Sequence, residues 1–161
     1  MRFELGVNGA HRQIDVDPGT VLAELLAEGL GLGSVRRGCE GSECGSCTVL
    51  VDGKPARSCS LLAAQVQAKE VTTVEGLVEG GTPHRVQVAF ARSFAIQCGY
   101  CTPGMIMVVV ALLASRAHPT SSSIREALGG NYCRCSGYEA IVDAALDAAD
   151  HMRTPNVPPR A

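Results

Sequence analysis

Eight cysteines carry the chemistry of this chain of 161 residues, and they fall into two sets of four. The first is Cys39, Cys44, Cys47 and Cys59, spaced C-x4-C-x2-C-x11-C. The second is Cys98, Cys101, Cys133 and Cys135, a C-x2-C and a C-x-C about thirty residues apart. Thiolate binds soft metals, and four thiolates complete one shell around either zinc or an iron–sulfur cluster. Two sets of four therefore predict two metal centres.

The spacing separates the two chemistries unequally. C-x4-C-x2-C is the plant-type [2Fe–2S] ferredoxin pattern, whereas a zinc ribbon favours paired C-x2-C knuckles. The run Gly38-Cys39-Glu40-Gly41-Ser42-Glu43-Cys44-Gly45-Ser46-Cys47 is rich in small residues. Such a loop can curl closely and aim N–H groups at sulfur. The first set reads as a [2Fe–2S] site, with Cys59 closer than the fourth ligand of plant ferredoxins. By spacing alone the second set stays open to a cluster or to zinc. A thioredoxin-like redox pair at Cys98 and Cys101 is disfavoured by its helical surroundings.

Alternating segments must position the first loop. Phe3, Leu5 and Val7 share one strand face, Asn8-Gly9 is a hairpin turn, and Ile14 and Val16 lie on the return strand. Thr20 is an N-cap candidate for a helix over Val21–Leu30, which Gly29, Gly31 and Gly33 end. Thr48–Val51 and Pro55–Ser58 flank Asp52-Gly53 as a second hairpin, and Val71–Val74 supplies a closing strand. Residues 75–83, with three Gly and one Pro, read as a linker. Beyond it the pattern is helical. Val86, Ala89, Phe90 and Phe94 form one stripe, and Met105–Ala117 is apolar on nearly every side. Thr120–Ser123 offer caps to a short helix carrying Ile124, Ala127 and Leu128, and Tyr138–Met152 forms the last helix. The tail from Arg153 to Ala161 holds three Pro and is expected to fray or to wrap a partner.

Composition excludes several classes. A hydrophobic fraction of 46% with 19% charged residues fits a globular chain with a real core. Net charge is -2 and Trp is absent, so neither a nucleic-acid groove nor base-stacking platforms are expected. The longest apolar run is about half of a bilayer span, so no membrane span is expected. No basic segment followed by an apolar one opens the chain, which predicts a cytoplasmic protein with reduced thiols rather than disulfides.

Three longer segments carry a resemblance. Gly38–Gly53 (GCEGSECGSCTVLVDG), Gln97–Met105 (QCGYCTPGM) and Gly130–Tyr138 (GNYCRCSGY) resemble, in order, the signature segments of the [2Fe–2S] subunits of molybdenum hydroxylases, the xanthine dehydrogenase and aldehyde oxidase family. The resemblance covers about residues 2 to 150. It implies an α+β chain: a ferredoxin-like β-grasp domain (1–76), a linker (77–83), a four-helix bundle (84–152) and a tail (153–161). It also implies that the second set holds a [2Fe–2S] cluster beside the molybdopterin of a large subunit, with Gln97 and Cys135 approaching the pterin. The first cluster would pass electrons outward to FAD on a medium subunit or to a cytochrome, in a complex such as a dimer of heterotrimers. The chain would be an electron-transfer subunit of an oxidoreductase, not catalytic alone, its complex acting on an N-heteroaromatic, a purine or an aldehyde. The alternative is a free ferredoxin-like carrier.

Around these motifs, Tyr132 and Ser136 stand where many relatives carry Leu and Thr, and Ser136 is expected to cap the last helix. Arg36 and Arg37 read as a solvated loop whose charge could raise the first cluster's potential or meet an acidic partner surface. Glu40 and Glu43 are expected to face solvent. His11, His84, His118 and His151 read as surface or cap residues, and Met105 and Met107 as core.

Overall fold

The computed structural model describes residues 1–153; the expected tail beyond Arg153 lies outside the described residues. A five-stranded mixed sheet opens the chain: β1 (Arg2–Val7), β2 (Ala10–Asp15), β3 (Thr48–Val51), β4 (Lys54–Arg57) and β5 (Glu70–Thr72), in the order β2-β1-β5-β3-β4. Both hairpins turn on two residues with positive φ, Asn8-Gly9 and Asp52-Gly53. Such turns match the right-handed twist of the flanking strands. The short β5 is central, parallel to β1 and antiparallel to β3. Phe3, Leu5 and Val7 point into one core with Leu22, Leu26 and Val71.

The first helix differs from the expected one. A single α turn, α1 (Leu22–Glu24), widens into a π turn over Leu25–Gly29. Thr20 gives no side-chain cap; its carbonyl accepts from the Ala63 N–H at 2.9 Å, while Val21 bridges Leu62. Backbone pairing to 61–63 therefore replaces the cap. The wider turn keeps Leu22, Leu25 and Leu26 all buried.

Four helices follow: α2 (Arg85–Arg92), α3 (Thr102–Ser115), α4 (Ser121–Ala127) and α5 (Glu139–Arg153). His84 caps α2 and Thr120 caps α4, each side chain accepting a backbone N–H. The nearly all-apolar α3 lies against α2, α4 and β3, which explains why Met105, Met107 and Val109 are fully buried. Burial of one such side chain is worth about 1.5–3 kcal/mol. Leu50 of β3 belongs to this helical core, so sheet and helices share apolar contacts.

Two expectations fail locally. Phe94 does not extend the α2 stripe. The helix ends at Arg92, Phe94 takes φ 51°, and its side chain is 86% exposed. Ser136 does not cap α5, which begins at Glu139; its hydroxyl meets the Cys133 sulfur at 3.3 Å instead. Among the described residues no helix is long and apolar enough to cross a membrane.

Candidate metal centres

The first loop wraps its own sulfurs. The N–H groups of Glu43 and Cys44 donate to Cys39 Sγ at 3.3 and 3.4 Å. With the Cys44 thiol, they draw the Cys39 thiol below its ordinary value. Positive φ at Ser42 and Gly45 gives the loop its curl. Cys59 enters from the turn after β4, its thiol donating to the Ser42 hydroxyl at 3.4 Å. Cys47, at the foot of β3, is buried, and burial pushes its thiol up to about 11.

The second set joins two loops, one before α3 and one before α5. The Cys135 thiol donates to Cys98 Sγ at 3.6 Å. Cys133 Sγ accepts from the N–H groups of Cys135 and Ser136, both at 3.4 Å. Burial opposes ionisation of Cys133, but the Ser136 hydroxyl and these N–H groups outweigh it and hold the thiol below its ordinary value. The Tyr100 N–H does the same for Cys98. Burial pushes Cys101 up to about 12. Cys47 and Cys101 are therefore thiols that ionise at neutral pH only where a metal replaces the proton.

The thiols meet in pairs: Cys39 with Cys44, Cys47 with Cys59, Cys98 with Cys135, Cys101 with Cys133. Among the described residues no three His, Cys, Asp or Glu side chains converge where one ion could be held. Two pairs per set fit a two-iron cluster, each iron taking two sulfurs, and N–H groups aimed at sulfur suit its negative charge.

The two loops touch. The Tyr132 N–H donates to the Cys44 carbonyl at 2.9 Å. The buried Asn131 amide donates to the Gly45 carbonyl at 2.9 Å, and Arg57 donates to the Gly130 carbonyl at 3.0 Å. Gly45 has φ +71°, and a Cβ there would lie 2.5 Å from the Gly130 oxygen. Asn131 and Arg57 escaped sequence reasoning. A short amide two places before Cys133 was the one available signal. Asn131→Ala is expected to destabilise the loaded chain by about 1–2 kcal/mol through the lost hydrogen bond and the gap. The Gly45 carbonyl keeps its bonds to Thr48, which limits the effect; urea unfolding measures it.

Other expected residues fall as follows. Gln97, Cys98 and Cys135 are exposed, as are Glu40 and Glu43. Tyr138 is half-buried, its hydroxyl receiving the Cys133 N–H at 2.9 Å. Arg37 is exposed as expected, whereas Arg36 is half-buried and donates to the Gly99 carbonyl at 2.6 Å. Among the described residues, an open cleft of about 600 Å³ along the seam is lined by Arg57 as its one charged side chain and by no carboxylate, histidine or thiol. Acid–base catalysis has no footing there.

Comparison with known proteins is decisive. Residues 5–74 match the 2Fe-2S iron-sulfur cluster binding domain, and residues 73–146 match the [2Fe-2S] binding domain. The xanthine dehydrogenase iron-sulfur-binding subunit of Escherichia coli O157:H7 is 51% identical over 147 residues, covering 90% of this chain and 92% of that one. The chain belongs to the iron–sulfur subunits of the molybdenum hydroxylase family. Its role there is electron transfer within an oxidoreductase complex. The crystal structure of quinoline 2-oxidoreductase from Pseudomonas putida 86 matches with a TM-score of 0.91 at 42% identity, covering 95% of this chain and 96% of that chain. The aldehyde oxidoreductase of Desulfovibrio desulfuricans matches equally well, TM-score 0.91 at 39% identity over 94% of this chain, but over only 17% of its own length. This iron–sulfur subunit thus has the ferredoxin-like [2Fe–2S] fold of a mixed sheet with five helices, and the same fold occurs as one segment of a far larger polypeptide.

Proposed function

We propose that Cys39, Cys44, Cys47 and Cys59 hold one [2Fe–2S] cluster and Cys98, Cys101, Cys133 and Cys135 the other. Electrons enter at the second set and leave from the first. A bound [2Fe–2S] cluster accepts and returns one electron with little rearrangement. The chain's residues supply position, N–H groups and burial. The direction follows from the family resemblance, and unequal exposure supports the second set as the end that meets the partner. Cys98 and Cys135 are exposed beside an exposed Gln97, and Phe94, Ile96 and Tyr132 are large apolar side chains left uncovered in the same segments. Such a surface suits a protein partner.

On this reading the partner is a large subunit whose molybdopterin meets Gln97 and Cys135. A medium subunit with FAD takes electrons from the Cys39–Cys59 end, in a dimer of heterotrimers. The names of the relatives support an N-heteroaromatic, purine or aldehyde substrate for the complex. A β-grasp unit over 1–76, a linker over 77–83 and a four-helix bundle over 84–152 are supported by the two apolar cores. Cytoplasmic localisation is supported by the eight free thiols.

Purification of the tagged chain from its native host tests this. A molybdopterin-bearing protein is expected to co-purify, and Phe94→Ser is expected to weaken that association while both cluster signals stay. A wild-type chain that emerges alone sinks the subunit reading and favours a free carrier.

A further inference from the structure

Arg36 lies outside both cysteine sets, yet it is half-buried and bound to the second. Its guanidinium donates to the Gly99 carbonyl at 2.6 Å and stands 5.4 Å from the Tyr100 ring centroid. Gly99 and Tyr100 are the two residues between Cys98 and Cys101. The Tyr100 hydroxyl returns a hydrogen bond to the Arg37 carbonyl at 3.0 Å. Gly38 completes the clasp, for a Cβ there would stand 3.0 Å from the Tyr100 ring and 3.2 Å from Cys44 Sγ. The base of the segment is pinned as well: Ser34 donates to the Glu75 carboxylate through its N–H at 3.0 Å and its hydroxyl at 2.5 Å. Among the described residues no carboxylate lies within ion-pair reach of Arg36. Its charge is fixed, and it binds a backbone carbonyl of the segment that joins two proposed ligands.

Resting on the ligand sets proposed above, we propose that Arg36 is a positioning residue that raises the reduction potential of the second cluster and holds its loop against the first. Reduction adds one electron, and hence one negative charge, to the second site. A fixed cation nearby favours the charged product, and net charge is among the properties that set cluster potentials. The guanidinium lies at cation–π range of the Tyr100 ring and polarises the Gly99 carbonyl. The same side chain links a loop of the first site to a loop of the second, so the potential of one centre depends on a residue that precedes the other.

Reductive titration of the loaded full chain with dithionite, followed by electron paramagnetic resonance, tests this. Arg36→Gln is expected to shift the second cluster's midpoint to lower potential, by more than it shifts the first. Arg36→Lys is expected to give a smaller shift in the same direction. Tyr100→Phe removes the return hydrogen bond without touching the charge, and its midpoint is expected to match wild type. An unchanged midpoint in Arg36→Gln overturns the proposal, as does an equal shift in Tyr100→Phe. Where Arg36→Gln loads no second cluster, Arg36→Met, which is neutral but keeps an apolar stem, decides: a midpoint at or above wild type overturns the proposal. Wild-type chain that shows no second cluster signal defeats instead the ligand assignment on which this rests.

Discussion

Cys135→Ser is expected to abolish the second cluster's signal, leave the first cluster's spectrum intact and stop electron flow through the complex. Cys135 is exposed, and its sulfur lies 3.6 Å from that of Cys98. One iron would thus lose half of its protein ligands. A serine oxygen is a harder and poorer donor to iron than thiolate. Losing only a hydrogen-bond partner of a ligand costs about 10–100-fold in metal affinity or activity, so losing the ligand itself exceeds that. The first set lies in another loop and depends on Cys135 for nothing but support through the seam. Substrate-driven reduction inside the large subunit should survive while turnover with an external acceptor falls on the order of 100-fold or more. Spectra of both clusters with stopped-flow reduction by substrate check the pair of outcomes. Simultaneous loss of both signals would mean that the two units do not assemble independently.

Gly104→Ala is expected to destabilise the chain, against the local rule. Gly104 sits in the first turn of α3, where Ala would ordinarily gain about 1 kcal/mol of helix propensity. A Cβ there, however, would stand 2.2 Å from the Gly45 carbonyl oxygen, 3.1 Å from the Asn131 amide and 3.3 Å from the Gly45 carbonyl carbon. Gly45 follows the proposed ligand Cys44 directly and the contact is with its backbone, so no side chain can swing away. Overpacking typically costs about 1–3 kcal/mol, and a backbone collision stands at the upper end. The clash therefore wins by about 2 kcal/mol, which lowers the thermal midpoint by roughly 4–8 °C for a chain of this size. The first cluster should be lost before the second on heating, although the substitution lies on the second unit. Absorbance of each cluster during a temperature ramp measures this; a midpoint at or above wild type would show that α3 can slide away from the loop.

The legibility of this chain follows the range of the forces involved. Hairpins at Asn8-Gly9 and Asp52-Gly53, the apolar α3 and the caps at His84 and Thr120 are set within a few residues, and periodicity and turn chemistry suffice to place them. The first cysteine set is equally local, because a single loop carries three of its four members. The second set spans two loops, and its spacing admitted zinc until the flanking Gln97 and Cys-Arg-Cys segment narrowed it. Phe94 continued a helical pattern past the point where the helix stops. Its positive φ belongs to a turn that the stripe could not announce. Thr20 lost its cap to pairing with residues 61–63. Arg36 looked like solvated charge because its partner, Gly99, is a carbonyl sixty-three residues away. Gly45, Gly104 and Asn131 are matched across the seam, and such close approach has no one-dimensional signature.

Metal and sulfide analysis of the purified chain tests the central claim most directly. About four irons and four acid-labile sulfides per chain are expected, two of each for either 2Fe-2S domain, with two distinct paramagnetic signals after reduction. Two zincs per chain without sulfide would contradict the account.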